Sequence, residues 1–200
     1  MRRISGAAVA AGFTLLLAAT AAAQTVPASE IAVNYSFLRA DAGDATLEGG
    51  ETVALDTSNL NGAEFTGTYY IGPRLGLDFS LSYHNGSITP PAGYEVVTID
   101  FQEYSFMAGP RVRLAQNERA NASVRALVGA TNGTVRAQAG PFLADADETT
   151  FALAFGGDVT VNLNDMFAVR LIQPEVLFTW FGGNTQTNVR ISAGIVFRVG

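Results

Sequence analysis

The chain has 200 residues, 12 basic and 18 acidic side chains for a net charge of −6, no cysteine and a single histidine. A disulfide framework, a thiolate metal site and a clustered-histidine zinc site are thereby excluded, and the acidic balance speaks against nucleic acid as a partner. Glycine is frequent at 21 residues and charged residues are scarce at 15%, which suits strands that close on themselves and face lipid.

Residues 1–23 read as a cleavable signal peptide. Arg2 and Arg3 form a positive start, Ala7 to Ala19 an apolar stretch, and Ala21-Ala22-Ala23 a small-residue cleavage site that leaves Gln24 first in a mature domain of residues 24–200. The apolar stretch is short for a spanning helix, which needs about 20 residues. No later run reaches that length. Only helices and closed barrels satisfy their backbone inside lipid, so strands are what could cross.

Eight alternating segments follow. The first sets Ile31, Val33, Tyr35 and Phe37 on one face; the second, near Gly62–Ile71, opposes Phe65, Tyr69 and Ile71 to Glu64, Thr66 and Thr68. The third opposes Leu75, Leu77, Phe79, Leu81 and Tyr83 to Gly76, Asp78, Ser80, Ser82 and His84. The fourth opposes Tyr104, Phe106, Ala108 and Val112 to Glu103, Ser105, Gly109, Arg111 and Arg113. The fifth carries Ala122, Val124, Ala126 and Val128 against Ser123, Arg125, Leu127 and Gly129, and the sixth Phe151, Leu153, Phe155, Val159 and Val161 against Ala152, Ala154, Gly156, Asp158 and Thr160. The seventh, Phe167–Trp180, changes parity and predicts a β-bulge near Gln173-Pro174. The eighth alternates Val189, Ile191, Ala193, Ile195 and Phe197 with polar and small residues.

A period of two gives each strand one apolar and one polar face. Connections alternate in length: long near Ala40–Leu60, Asn85–Asp100 and Asn132–Glu148, short at Gly72–Arg74, Ala115–Ala120 and Asn162–Asp165, with a shorter last hairpin at Gly182-Gly183-Asn184. That rhythm predicts an eight-stranded antiparallel up-and-down transmembrane β-barrel with both termini in the periplasm. Phe37, Tyr83, Tyr104, Phe151, Phe178, Trp180 and Phe181 are expected at the outer rim, and Tyr69, Tyr70, Phe167 and Phe197 at the periplasmic rim.

Arg111, Arg113, Arg125, Arg170, Arg190 and Arg198 all fall on the polar face, as do Glu64, Asp78, Glu103, Asp158 and Glu175. An arginine facing lipid at the midplane costs about 2–4 kcal/mol, so these charges are assigned to the lumen as an interior cluster. Asp158 with Arg170 and Glu175 with Arg190 are predicted ion pairs. Their preferred role is to fill the lumen and fix register; the functional alternative is a narrow pore gated by exchange of pairs.

The first long loop carries Asp41, Asp44, Glu48, Glu51 and Asp56 without a base, and the third carries Asp145, Asp147 and Glu148. Such loops could bridge divalent cations to lipopolysaccharide phosphates, but none has calcium-loop spacing, and no metal site or cofactor is assigned. Catalysis would have to use His84, whose neighbours Asp78, Ser80 and Ser82 share its strand face. Along one strand the spacing rises too fast for Asp78 to orient the imidazole. No catalytic residue is assigned.

Phe151–Val159, Val161–Glu175, Ile191–Gly200 and Tyr104–Arg111 together resemble the bacterial outer-membrane β-barrel domain family, similar in size and plan to the eight-stranded OmpA and OmpX barrels. The resemblance covers roughly residues 31–200. It implies outer-membrane localisation, contact with lipid and lipopolysaccharide, handling by the barrel-assembly machinery and no catalytic residues; the peptidoglycan-binding domain of full OmpA proteins is not expected, which is a departure from them. Phe197 departs from the pattern by preceding Arg198-Val199-Gly200 instead of ending the chain. A monomeric structural or surface-interaction protein is expected. The alternatives are a soluble periplasmic ligand binder of lipocalin type, which requires the opposite facing, and a lipid-modifying outer-membrane enzyme using His84.

Overall fold

The computed structural model describes residues 29–40, 44–46, 52–54, 58–88, 97–139, 142–181 and 185–199. Residues 1–23, the loop acids Asp41, Glu48, Glu51 and Asp56, and the Gly182-Gly183-Asn184 turn lie outside them. Among the described residues ten strands are formed: β1 (Ser29–Ala40), β2 (Asp44–Thr46), β3 (Thr52–Ala54), β4 (Ser58–Tyr70), β5 (Leu75–Ile88), β6 (Val97–Gln116), β7 (Ala120–Ala139), β8 (Phe142–Asn162), β9 (Phe167–Thr179) and β10 (Gln186–Val199). Eight of them close a barrel in the order β1-β10-β9-β8-β7-β6-β5-β4, every pairing antiparallel. β2 and β3 pair as a separate small hairpin.

Side-chain facing follows the alternation. Val33, Tyr35, Leu77, Leu81, Phe106, Val128, Phe155, Ile191 and Ile195 are exposed on the outside, while the intervening polar residues are buried within. Aromatic pairs mark two rims. Tyr83 packs against Tyr104 (centroids 4.6 Å) and Phe151 against Trp180 (5.6 Å), both tilted, at the outer one, and Phe167 meets Phe197 edge to face (5.2 Å) at the periplasmic one.

Two expected rim residues are placed elsewhere. Tyr70 is buried in the lumen, where its hydroxyl donates to Glu30 at 3.1 Å; neighbours on a strand face opposite sides, so Tyr69 and Tyr70 could not both meet lipid. Phe181 lies across the mouth: a Cβ placed on Gly133 would meet its ring at 3.1 Å.

The parity change in β9 is present but lies upstream of Pro174. Leu171 and Ile172 both face out, and pairing slips between Arg170 and Ile172 against β8 and between Arg170 and Gln173 against β10. Pro174 itself is paired in register with Ile191. The expected long loop at Asn132–Glu148 is instead a continued ladder, with β7 running to Ala139 and β8 starting at Phe142. Outside the membrane both faces meet water, so the apolar alternation ends although the pairing does not. From Tyr104 to Val97, β6 reaches about 23 Å beyond the rim at ordinary strand rise.

The periplasmic turns are held by asparagines. Asn117 Oδ1 accepts from the Arg119 and Ala120 amides, both at 2.8 Å, and Asn164 Oδ1 from those of Met166 (2.9 Å) and Phe167 (2.8 Å). Asn162 Nδ2 ties two turns together by donating to the Asn117 and Glu118 carbonyls.

Candidate functional site

The inward faces of the strands stack into three zones. The central zone is ionic. Glu64, Asp78, Asp158 and Glu175 meet Arg111, Arg125, Arg170 and Arg190, all buried. Four carboxylates against four guanidinium groups leave this zone electrically neutral, which is what makes its burial tolerable: an unpaired ion there costs several kcal/mol.

Glu64 is the hub. It accepts from Arg125 Nη2 at 2.6 Å, Gln173 Nε2 at 2.7 Å, Ser80 Oγ at 2.7 Å and Asn34 Nδ2 at 3.4 Å, and Arg190 Nη2 lies 3.5 Å away. One β4 carboxylate thereby binds β1, β5, β7, β9 and β10 across the lumen. Glu175 takes Arg125 Nε on one oxygen at 2.6 Å and Arg190 Nη2 on the other at 2.7 Å. Asp78 accepts from Arg111 Nη1 at 3.1 Å and Thr68 Oγ1 at 2.7 Å.

The predicted Glu175–Arg190 pair is formed. The Asp158–Arg170 pair is formed at longer range, with Arg170 Nε 3.9 Å from Asp158, whose nearer partner is Arg111 Nη2. Register counted from the turn explains this: Asn162 pairs with Ala168, Val161 with Val169 and Thr160 with Arg170, which sets Asp158 two residues further along the same inward face. Arg170 donates to Thr66 Oγ1 at 3.0 Å.

The periplasmic zone holds Arg113, which contacts Glu30 at 3.4 Å, Gln116 at 2.9 Å and the Tyr70 ring, 3.8 Å from its centroid. Arg198 completes it, 3.5 Å from Glu30. Arg113 therefore belongs to a separate group from the central cluster, and Glu30 is a member that sequence reasoning missed, although its position opposite Ile31 in parity marks it. Between this zone and the centre sit Ala32, Ala168 and Val196.

Directly outward of the ionic zone lies an apolar collar of Leu38, Leu60, Met107, Leu127, Ala152, Ala154 and Leu177, none more than 3% exposed. The expectation of a lumen filled by polar side chains misses this layer. Leu127, Ala152 and Ala154 fall on the inward face in the sequence reading; Leu38, Leu60, Met107 and Leu177 follow strand parity outward from Ser36, Glu64, Gly109 and Glu175.

Glu103 is also set apart from the central cluster. It is the Cα partner of His84 at the outer end, 7% exposed, with Oε1 lacking a hydrogen-bond partner. His84 Nε2 lies 2.8 Å from Ser36 Oγ on β1, a serine–imidazole spacing suited to nucleophile activation. Both residues are fully buried, however, so no substrate reaches them in this state. Asp78 does not orient His84; its carboxylate is taken by Thr68 and Arg111.

The family model described as outer membrane protein beta-barrel domain matches residues 8–197. Among curated proteins, none matches the chain. Of solved structures, Ail, the attachment invasion locus protein of Yersinia pestis, is similar at 19% identity and a TM-score of 0.55, over 86% of this chain and 100% of that one. A second Ail structure, in complex with the heparin analogue sucrose octasulfate, gives 21% identity and 0.56 with the same coverage. Neisserial surface protein A gives 12% and 0.58, over 88% of this chain and 99% of its own. At these identities the likeness concerns the fold.

Proposed function

Because the chain belongs to the outer-membrane β-barrel domain family, we propose that it is a non-enzymatic, non-conducting barrel of the outer membrane that carries a surface-contact blade. The reversed facing argues against the lipocalin-like reading: arginines and carboxylates are inside and the apolar residues outside, toward lipid. The observation that carries the closed-lumen reading is the stack of a neutral ionic zone beneath a packed apolar collar. Water and ions would have to cross both.

The outward extension of β6, β7 and β8 supplies the contact surface. Asp147 there is held by Asn132 Nδ2 (3.2 Å) and Thr134 Oγ1 (3.2 Å), which stiffens the blade above the rim. Its partners are expected to include lipopolysaccharide, as for any surface projecting through the outer leaflet. A monomer delivered by a cleaved signal peptide at residues 1–23 and inserted by the assembly machinery accounts best for the remaining features. The test is conductance across a planar bilayer holding the refolded chain. Absence of discrete current steps supports the closed lumen, and steady ohmic steps would reject it.

A further inference from the structure

Outward of the apolar collar, three neighbouring strands each carry a buried polar atom without a hydrogen-bond partner: His84 Nδ1 on β5, Glu103 Oε1 on β6 and Thr131 Oγ1 on β7. Register brings them to one patch of the inner wall. Glu103 is the Cα partner of His84 on one side and of Gly133 on the other, and Thr131 stands two residues deeper than Gly133 on the same face. Directly opposed Cβ atoms lie about 5 Å apart and diagonal ones about 7–8 Å. The serines beneath satisfy each other, Ser82 and Ser105 being 2.5 Å apart.

The molecule has little of its own to complete this patch. Arg190 is engaged by Glu175 and Ser82, and the ion pairs formed by Arg111 and Arg125 are with the central carboxylates. All 12 basic residues of the chain are arginine, so no side chain can supply a primary ammonium. A lone buried carboxylate and unmade hydrogen bonds are both costly.

The chemistry of the acceptors selects what would fit. With its proton on Nε2, directed at Ser36 Oγ 2.8 Å away, the imidazole accepts at Nδ1. A water brings only two donors and no charge. A calcium ion takes six to eight oxygen ligands, and the described residues hold no group of three histidine or carboxylate side chains that could bind a metal ion. A guanidinium spreads five donors in a plane. A primary ammonium carries one positive charge and three N–H donors on one nitrogen, one for each unpartnered acceptor.

We propose that the outer mouth of the barrel binds one primary alkylammonium group, with Glu103 as its counter-ion and His84 Nδ1 and Thr131 Oγ1 as its other acceptors. Glu103 keeps 7% of its surface exposed, whereas His84 and Thr131 have none, so the cation meets Glu103 first. The way in passes the Phe181 ring, which rests on Gly133, and Phe101 flanks the collar below. Aromatic rings suit both an alkyl stem and a cation. The collar of Leu38, Leu60, Met107, Leu127 and Leu177 closes the floor, so the group is held and not passed through the lumen.

The test titrates the isotope-labelled barrel, refolded in nanodiscs, with n-butylammonium chloride at constant ionic strength and follows backbone amide shifts. Saturable shifts at positions 84, 103, 131 and 133 are expected. Glu103→Gln should bind about tenfold more weakly or worse, since a charge-assisted hydrogen bond is lost, and Thr131→Val about fivefold more weakly. Tetramethylammonium, which has charge but no N–H donor, should not saturate. N-acetyl-lysine amide separates the sources: binding comparable to n-butylammonium supports a lysine of a partner protein, and its failure where n-butylammonium binds supports a free amine. No saturable shift with either amine, equal affinity in Glu103→Gln, or equal binding of tetramethylammonium would overturn the proposal.

Discussion

Glu175 and Arg190 face each other across β9 and β10, and the guanidinium meets one carboxylate oxygen twice, through Nε at 2.8 Å and Nη2 at 2.7 Å. The other oxygen of Glu175 is taken by Arg125. One carboxylate thus neutralises parts of two arginines. Removing it strands both. Glu175→Ala should cost about 3–5 kcal/mol of stability, measured by urea unfolding from lipid vesicles. Replacing Glu175 and Arg190 together by leucine and methionine should recover part of that loss, since a buried pair is worth little more than apolar side chains of its size. No recovery would mean that Arg125, left with Glu64 and the more distant Asp78, dominates the cost.

The apolar collar makes a separate prediction. Leu177→Ala opens a void in a layer without exposed surface, and the expected penalty is about 2–5 kcal/mol. The same variant should raise the frequency of transient current events in a planar bilayer while the ionic zone stays intact. A variant as silent as the wild type and equally stable would show that the collar is neither tightly packed nor a barrier.

At the periplasmic end, Arg113 sits over the Tyr70 ring and beside Glu30. Arg113→Lys keeps the charge but loses the planar stacking and the second donor arm. A loss of about 1 kcal/mol is expected, and Tyr70→Phe, which removes the hydrogen bond to Glu30, should lose a similar amount. The two effects should not add, because the residues touch.

Ser36 and His84 have the spacing of a nucleophile and its base but no exposed surface. An activity-based fluorophosphonate probe should therefore leave the refolded chain unlabelled. Labelling at Ser36 that disappears in His84→Ala would reopen the enzymatic reading.

Much of this architecture was legible in the sequence because a barrel wall obeys a strictly local rule. Parity put Arg111, Arg113, Arg125, Arg170, Arg190 and Arg198 on the inward face, and two-residue periodicity paired Glu175 with Arg190 across one hairpin. What parity cannot express is reach across the lumen. Arg111 with Asp158 and Arg125 with Glu64 join strands that are not neighbours, and those contacts exist only once the sheet closes. The displaced bulge has a related cause. Apolar residues at both Leu171 and Ile172 mark the slip, but the proline two residues later is the louder signal. Tyr70 is the reverse case, a position that parity with Thr66 and Thr68 assigns to the lumen.

The central claim is the facing of the wall, and the absence of native cysteine makes it directly measurable. Leu81 is 49% exposed on the outside, and Ser80, the residue before it on β5, is 1% exposed. A thiol fluorophore is attached at Leu81→Cys in the barrel refolded into vesicles that carry nitroxide-labelled lipid, and Ser80→Cys is challenged with the same reagent. The account predicts strong quenching by lipid at position 81 and no labelling at position 80 until the barrel is unfolded. Ready labelling at position 80 in the folded barrel, with no quenching at 81, would contradict it.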